Sequence, residues 1–251
     1  MNKHLIFDVG MNTGDDTSYY LSGGYQVIAI EANPFLVKKA TLKFGKEIEN
    51  KSLVLIDKGI SDTEGKITFF INKDNSEWSS FDKDTASRMN TAISQQKVDC
   101  ITLQSLFDKY GVPFFLKIDI ENYDKFCIES ILGEDRPKYV SCESGAIDLL
   151  DILYQKGYTK FKMINQANGF GNFNYLEEKL YLPSFVRKIM WRLRKLLFPF
   201  TINYGSSGPW GEFTKGQWQT IEETKRDFIL SHNSRGELIN KLSWYDFHAT
   251  Y

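Results

Sequence analysis

Two short apolar runs, Leu5-Ile6-Phe7-Asp8-Val9 and Val27-Ile28-Ala29-Ile30-Glu31, frame the turn Gly10-Met11-Asn12-Thr13-Gly14. This unit constrains the chain more than any other feature. Apolar runs of this length read as buried strands, and glycines between them read as a tight turn before a helix. Strand, glycine turn, helix start and a second strand ending in an acid form the front half of a Rossmann-like nucleotide site. The glycines let the backbone approach a ligand with no Cβ in the way. Glu31 lies 17 residues after Gly14, near the spacing at which an acid grips both hydroxyls of a ribose.

The turn is Gly10-x-x-x-Gly14, which is neither G-x-G-x-x-G nor a P-loop. Asp15 and Asp16 stand where the helix should begin, and Asp8 precedes the turn. A helix N-terminus suits a pyrophosphate, but carboxylates there repel one. A ligand with a cationic end fits better, and S-adenosylmethionine carries an ammonium and a sulfonium. Asp8 is the acid expected near the ammonium, and Glu31 the one expected on the ribose. The competing reading makes Asp15 or Asp16 a helix N-cap.

A third strand, Val112-Pro113-Phe114-Phe115-Leu116-Lys117-Ile118, runs into Asp119-Ile120-Glu121-Asn122-Tyr123-Asp124. Period-two alternation puts Lys117, Asp119 and Glu121 on one side. Ligands of open α/β sheets bind outside the carboxyl ends of the strands, so Asp119 and Glu121 should face the reacting groups. An ion pair with Lys117 is the structural alternative.

These segments, taken in order, resemble a known family. Asp8-Val9-Gly10-x-Asn12-x-Gly14, Ile30-Glu31-Ala32-Asn33-Pro34, Gly59-Ile60-Ser61-Asp62-x-x-Gly65, Leu103-x-Ser105-Leu106 and Leu116-Lys117-Ile118-Asp119-Ile120-Glu121 are similar to the successive motifs of FkbM-type methyltransferases. The resemblance covers about residues 5–145. It implies a class I, S-adenosylmethionine-dependent enzyme that O-methylates a sugar, glycan or glycosylated metabolite. It also implies cofactor contacts from Asp8, Gly10, Asn12, Gly14, Glu31, Asn33, Ser61 and Asp119. The chain departs from the family at Asn122, where Gly is usual, and at Asp15-Asp16, where less charged residues are usual.

The expected architecture is α/β: a Rossmann-like sheet with helices on both faces over residues 1–165, and a C-terminal helical and loop addition, 166–251, that binds the acceptor or caps the core. Strands are expected near 4–9, 25–31, 52–57, 66–72, 97–101, 114–120, 138–143 and 158–164, and helices near 15–22, 34–44, 123–132, 146–157 and 217–230. Lys66–Ile71 reads as an inserted strand. The polar stretch from Lys73 to Gln96 is a long connection whose Ser79 and Ser80 are placed to lie over the cofactor.

Composition fits such an enzyme: 251 residues, 42% hydrophobic, 25% charged, net charge −1. That charge argues against a general nucleic-acid binder. Cys100, Cys127 and Cys142 show no C-x-x-C spacing and read as reduced, buried thiols of a cytoplasmic protein. No signal peptide or membrane span is expected. In the stretch 181–200, Arg187, Lys188, Arg192, Arg194 and Lys195 share one helical face opposite an apolar one. Such a helix docks on the core or meets an anionic membrane or lipid-linked substrate at the inner membrane face. Trp210, in a glycine-rich loop, suits stacking on a sugar. His248, in the aromatic tail Trp244-Tyr245-Asp246-Phe247-His248, is either part of the acceptor pocket or a packed core histidine.

The expected chemistry is transfer of a sulfonium methyl to a hydroxyl oxygen, with Asp119 or Glu121 as base. The alternative is magnesium held by Asp119 and by Glu143, at the end of Val140-Ser141-Cys142-Glu143. Two rival classes stand beside this: an NAD-linked oxidoreductase or epimerase, and a non-catalytic glycan- or membrane-associated module.

Overall fold

The computed structural model describes residues 2–121, 123–133, 135–166, 171–174, 189, 206–240 and 243–251. Its elements are β1 (Asn2–Val9), α1 (Asp15–Ser22), β2 (Gln26–Glu31), α2 (Pro34–Lys43), α3 (Gly45–Glu49), β3 (Leu53–Asp57), β4 (Gly59–Ile60), β5 (Gly65–Asn72), α4 (Lys83–Ala86), β6 (Ile93–Ile101), α5 (Leu103–Tyr110), β7 (Pro113–Ile118), α6 (Asp124–Glu129), β8 (Tyr139–Glu143), α7 (Asp148–Gln155), β9 (Lys160–Asn165), β10 (Gly171–Asn172), α8 (Ile221–Ser231) and β11 (Tyr245–Thr250).

Eight strands form one sheet in the order β10-β9-β11-β8-β7-β1-β2-β3. β3, β2, β1, β7 and β8 run parallel. β11 is antiparallel to both β8 and β9. Alternation along the strands assigns the partners. Leu5, Phe7 and Val9 of β1 join Ile28 and Ile30 of β2 in one apolar cluster, with side chains from α5, α6, α7 and α8. Ile6, Val27 and Ala29 point the other way and pack with Tyr20 of α1, Ala40 of α2 and Trp210. Both faces are covered, which is why these strands read as unbroken apolar runs.

β11 is more than the docked aromatic tail its composition suggests. It is an inner strand with all six residues buried. A division at 165/166 therefore leaves one inner strand of the sheet on its far side. The rest of the described C-terminal segment packs against the same sheet: Ile221 of α8 lies in the first cluster, and Phe228 meets Phe247 of β11 at 5.7 Å.

A second sheet, β4-β6-β5, stands apart. β5 pairs antiparallel with β6 over eight residues, as expected for an inserted strand. β6 begins at Ile93, inside the stretch expected to be a connection. Helix α5 is a further element, visible in the sequence only as part of a motif. Thr102 caps it by accepting from the Ser105 N–H, and Leu103, Leu106 and Phe107 bury one face. Among the described residues no helix is long and apolar enough to cross a membrane. The basic stretch 181–200 lies, Ile189 apart, outside the described residues.

Candidate active site

The carboxyl ends of the parallel strands open into one cleft of about 610 Å³. Its floor is the glycine turn. Gly10 has φ +81°, and a Cβ there would sit 1.8 Å from the Asp119 carbonyl oxygen, so only glycine lets the turn and the end of β7 pass this closely. The Gly10 and Met11 N–H groups both donate to the Ile30 carbonyl, at 3.0 and 3.1 Å. Gly14 has φ +75° and forms the left-handed N-cap of α1, with no side-chain cap. The N-cap reading of Asp15 and Asp16 is thereby corrected.

Glu31 ends β2 and lines the cleft. One carboxyl oxygen accepts the Asn12 N–H at 2.7 Å and the other the Asn33 N–H at 2.8 Å. A carboxylate offers about four lone-pair sites, so each oxygen keeps one for a ligand hydroxyl. Burial pushes its carboxyl up to about 7, against the lowering pull of those two N–H groups. The folded state then holds a proton on Glu31 that the unfolded chain has released, between pH 4.5 and 7, so stability falls as pH rises through that window. Denaturation of the ligand-free protein at about pH 5.5 and 7.5 should show Glu31→Gln losing about 2 kcal/mol less than wild type between the two values. Equal losses would contradict the assignment.

Of the expected cofactor residues, Gly10, Asn12, Glu31 and Asp119 line the cleft, whereas Asp8, Gly14, Asn33 and Ser61 do not. Asp8 is fully buried beneath the turn, where it accepts from the Thr17 hydroxyl at 2.6 Å and pairs with Lys117 at 3.1 Å. Strand register explains this: Asp8 lies beside Lys117 on the face that packs against α1. Asn33 caps α2 through the Phe35 N–H, and the Ser61 hydroxyl donates to the Thr63 carbonyl. Asp16, not Asp8, reaches the cleft wall. It also accepts the Ser207 and Gly208 N–H groups at 3.0 and 2.9 Å, clasping the C-terminal loop to α1. Burial raises its carboxyl to about 6, opposed by Lys117.

Lys117, expected only as an ion-pair partner, is the hub of the site. It is 2% exposed, donates to the Gly10 carbonyl at 2.9 Å, and lies 3.1, 3.7 and 3.6 Å from Asp8, Asp16 and Asp119. Burial opposes its charge, but the three carboxylates outweigh that and hold the ammonium above its usual range. The signal in the sequence is a lysine inside an otherwise apolar strand, because a buried lysine needs partners.

Asp119, Glu121 and Glu143 line the same cleft and lie close enough to raise one another electrostatically, joined by Asp246 of β11. Glu121 pairs with Arg88 at 2.8 Å. Burial, then the charge of Glu143, push Glu121 up to about 8 despite Arg88. Glu143 is exposed and lines the cleft. Desolvation and the neighbouring Asp119 charge bring it to about 7. Magnesium finds no support: among the described residues no group of three or more His, Cys, Asp or Glu is arranged to hold a metal ion.

Two further expectations are corrected. Trp210 does not await a sugar. It is 2% exposed, stacked on Phe115 at 4.9 Å and edge-on to Tyr20 and Tyr25, because the loop folds over the second apolar cluster. His248 lies in β11 beside Ser141 and Lys162, away from the cleft, and burial lowers it to about 3. Ser79 lines the cleft, while Ser80 is buried and donates to the Glu121 carbonyl at 2.9 Å.

The cleft suits S-adenosylmethionine. The glycine cradle would be filled by any side chain, Glu31 keeps acceptor capacity for two hydroxyls, and Asp16 and Asp119 supply negative charge. Ala32, Leu36, Ile60, Phe69 and Phe81 give an apolar wall that would hold an adenine ring. No curated protein matches the chain. A solved structure that resembles it is precorrin-6y C5,15-methyltransferase from Geobacter metallireducens GS-15, with a TM-score of 0.40 and 9% identity over 99% of this chain and 80% of that one. A sequence profile described as the methyltransferase FkbM domain matches residues 8–160, more than half of the 251 residues and most of the strands that build the cleft. The chain therefore belongs to the FkbM methyltransferase family.

Proposed function

We propose that this methyltransferase takes its methyl group from S-adenosylmethionine and places it on a hydroxyl of a sugar, glycan or glycosylated metabolite. The observation that carries this reading is the meeting of Asp119, Glu121 and Glu143 at one wall of the cleft whose floor is the glycine turn and Glu31. A hydroxyl is a poor nucleophile until its proton is removed, and carboxylates beside the reacting oxygen can remove it. The cysteines Cys100, Cys127 and Cys142 are all buried outside this cleft.

When bound, S-adenosylmethionine supplies an electrophilic methyl on sulfonium. Glu31 would hold the ribose, and Asp16 and Asp119 would attract the cationic end. Lys117 neutralises part of their charge and fixes the Gly10 carbonyl, so that the turn keeps its shape. Glu143 would accept the proton of the acceptor hydroxyl, whose oxygen takes the methyl group as the sulfur–methyl bond of the sulfonium breaks and S-adenosylhomocysteine leaves as the neutral thioether. It is suited to this because its carboxyl is poised near 7, where a base is both available and strong enough. Asp119, beside it, stabilises the positive charge that develops on the acceptor oxygen. The apolar wall and the segment over the cleft limit water, the competing acceptor. In this reading the protein works in the cytoplasm, and the cations of 181–200 bring it to an anionic membrane surface that carries its acceptor.

Calorimetric titration tests the cofactor. S-adenosylmethionine should bind, and Glu31→Ala should raise Kd roughly ten- to a hundredfold, about 1.5–3 kcal/mol for a lost charged hydrogen bond. Binding of NAD in place of S-adenosylmethionine would refute the reading.

A further inference from the structure

The cleft also carries groups that the proposed cofactor contacts leave unused. Residues 73–92 run beside it and are stitched at two points. The Ser76 hydroxyl donates to the Asn12 side chain at 3.2 Å, and that of Ser80 to the Glu121 carbonyl at 2.9 Å. Arg88 rides on this segment. Its guanidinium lies 4.8 Å from the centre of the Trp78 ring and bonds one Glu121 carboxyl oxygen at 2.8 Å. The Arg88 Nε–H is buried and has no hydrogen-bond partner among the described residues. Trp78, Arg88 and Glu121 all line the cleft.

Both ends of this ion pair sit on unusual backbone. Met89 and Asn90, next to Arg88, have φ of +58° and +57°, and Glu121 has φ of +47°. None is glycine. Met89 is 81% exposed, so no packing of its side chain repays its conformation. Arg88 is itself more than a third exposed, although Glu121 is mostly buried, and an ion pair with one end in water contributes only modestly to a fold. Asn90 tolerates the left-handed region, but Met89 and Glu121 do not, and together they cost as much as such a pair returns or more. Stability does not account for the arrangement, whereas holding a rigid guanidinium beside the reacting carboxylates does. Arg88 is braced by a ring and a carboxylate, so little freedom is lost when it binds a ligand.

We propose that Trp78, Arg88 and Glu121 form the acceptor subsite, and that it selects a neutral vicinal diol. Arg88 donates to one hydroxyl, and the Glu121 carboxyl group hydrogen-bonds its neighbour. That places a third hydroxyl toward Asp119 and Glu143. Among the described lining residues Arg88 is already paired with Glu121 and Lys117 with three carboxylates, and the carboxyl groups of Glu143 and Asp246 stand beside them, so an acceptor bearing a carboxylate or phosphate is disfavoured against a neutral one. The inference rests on the proposed function of the same cleft.

The test compares methyl α-D-glucopyranoside with methyl α-D-glucuronide, which shares its ring but carries a carboxylate. Binding of each to protein saturated with S-adenosylhomocysteine is followed by saturation-transfer NMR at low salt. The neutral glycoside should bind, the uronide at least tenfold more weakly. Arg88→Met should weaken the neutral probe at least tenfold and leave the Kd of S-adenosylhomocysteine within twofold. Arg88→Lys, which keeps the charge but not the fork, should fall between. Equal or better binding of the uronide, no effect of Arg88→Met, or no binding of either probe to protein that does bind S-adenosylhomocysteine would each overturn the subsite. Failure of S-adenosylhomocysteine itself to bind would instead overturn the proposed function.

Discussion

Replacing Glu143 with Gln is expected to slow methyl transfer by about 10²- to 10⁴-fold, the range lost with a general base. The Kd for S-adenosylmethionine should stay within tenfold, because Glu143 stands on the acceptor wall and not at the ribose. In wild type the rate should rise with pH through about 7, as desolvation and the Asp119 charge set the Glu143 carboxyl there. Asp119→Asn keeps the shape of the site and removes that charge. Transfer should fall, and the midpoint of the remaining pH–rate profile should move down, since the repulsion that raised Glu143 is gone. Initial rates with labelled S-adenosylmethionine between about pH 5.5 and 9 decide the matter. Full turnover by both variants would show that the base lies elsewhere.

A second large effect is expected at the glycine turn. Gly10→Ala should destabilise the protein by about 3 kcal/mol or more and abolish cofactor binding. The left-handed conformation alone costs an alanine about 1–2 kcal/mol. The remainder comes from a Cβ 1.8 Å from the Asp119 carbonyl oxygen, a backbone atom that cannot swing aside. Gly24 is the matched control: its φ is +79°, yet a Cβ there would have no atom of the described residues within 4 Å. Gly24→Ala should cost only the conformational part. Chemical denaturation of the two variants separates the contributions. Losses of equal size would mean that the close approach of the turn to β7 has no energetic weight.

The strands β1, β2 and β7 are legible in the sequence because each is buried on both faces, and such strands announce themselves as apolar runs. Glu31, Asp119, Glu121 and Glu143 are legible because strand polarity sends the carboxyl ends of parallel strands to one edge. β11 is not legible as an inner strand. Its residues include Asp246 and His248, and nothing local states that this segment will pair between two strands formed far earlier in the chain. Helix α5 escapes a periodicity reading because eight residues give little more than two turns.

Trp210 shows where local reading fails outright. Its glycine-rich surroundings and nearby hydroxyls resemble a surface loop for sugars, but the loop folds back onto Tyr20 and Phe115 and takes the ring out of solvent. Arg88 is the opposite case, an inconspicuous residue in a polar connection that becomes important through contact with Trp78 and Glu121. Asp8 and Asp16 exchange their expected places for the same kind of reason. Both are acids near the turn, and only the facing of β1 toward α1 and the pairing with Lys117 decide which is covered.

Residue type and spacing were enough to specify the Rossmann-like framework, the glycine turn, the acid at the end of β2 and the carboxylates at the other strand ends. Each depends on residue type and on spacing along one or two elements, where chain geometry leaves few choices. Tertiary structure alone decided that Lys117 joins three carboxylates, that β11 completes the sheet, that Trp210 is core, and that residues 73–92 bring Arg88 to Glu121. These are contacts between segments far apart in the chain. Their outcome rests on which faces are buried together and which charges find partners in the low-dielectric interior, and neither is written in any local pattern.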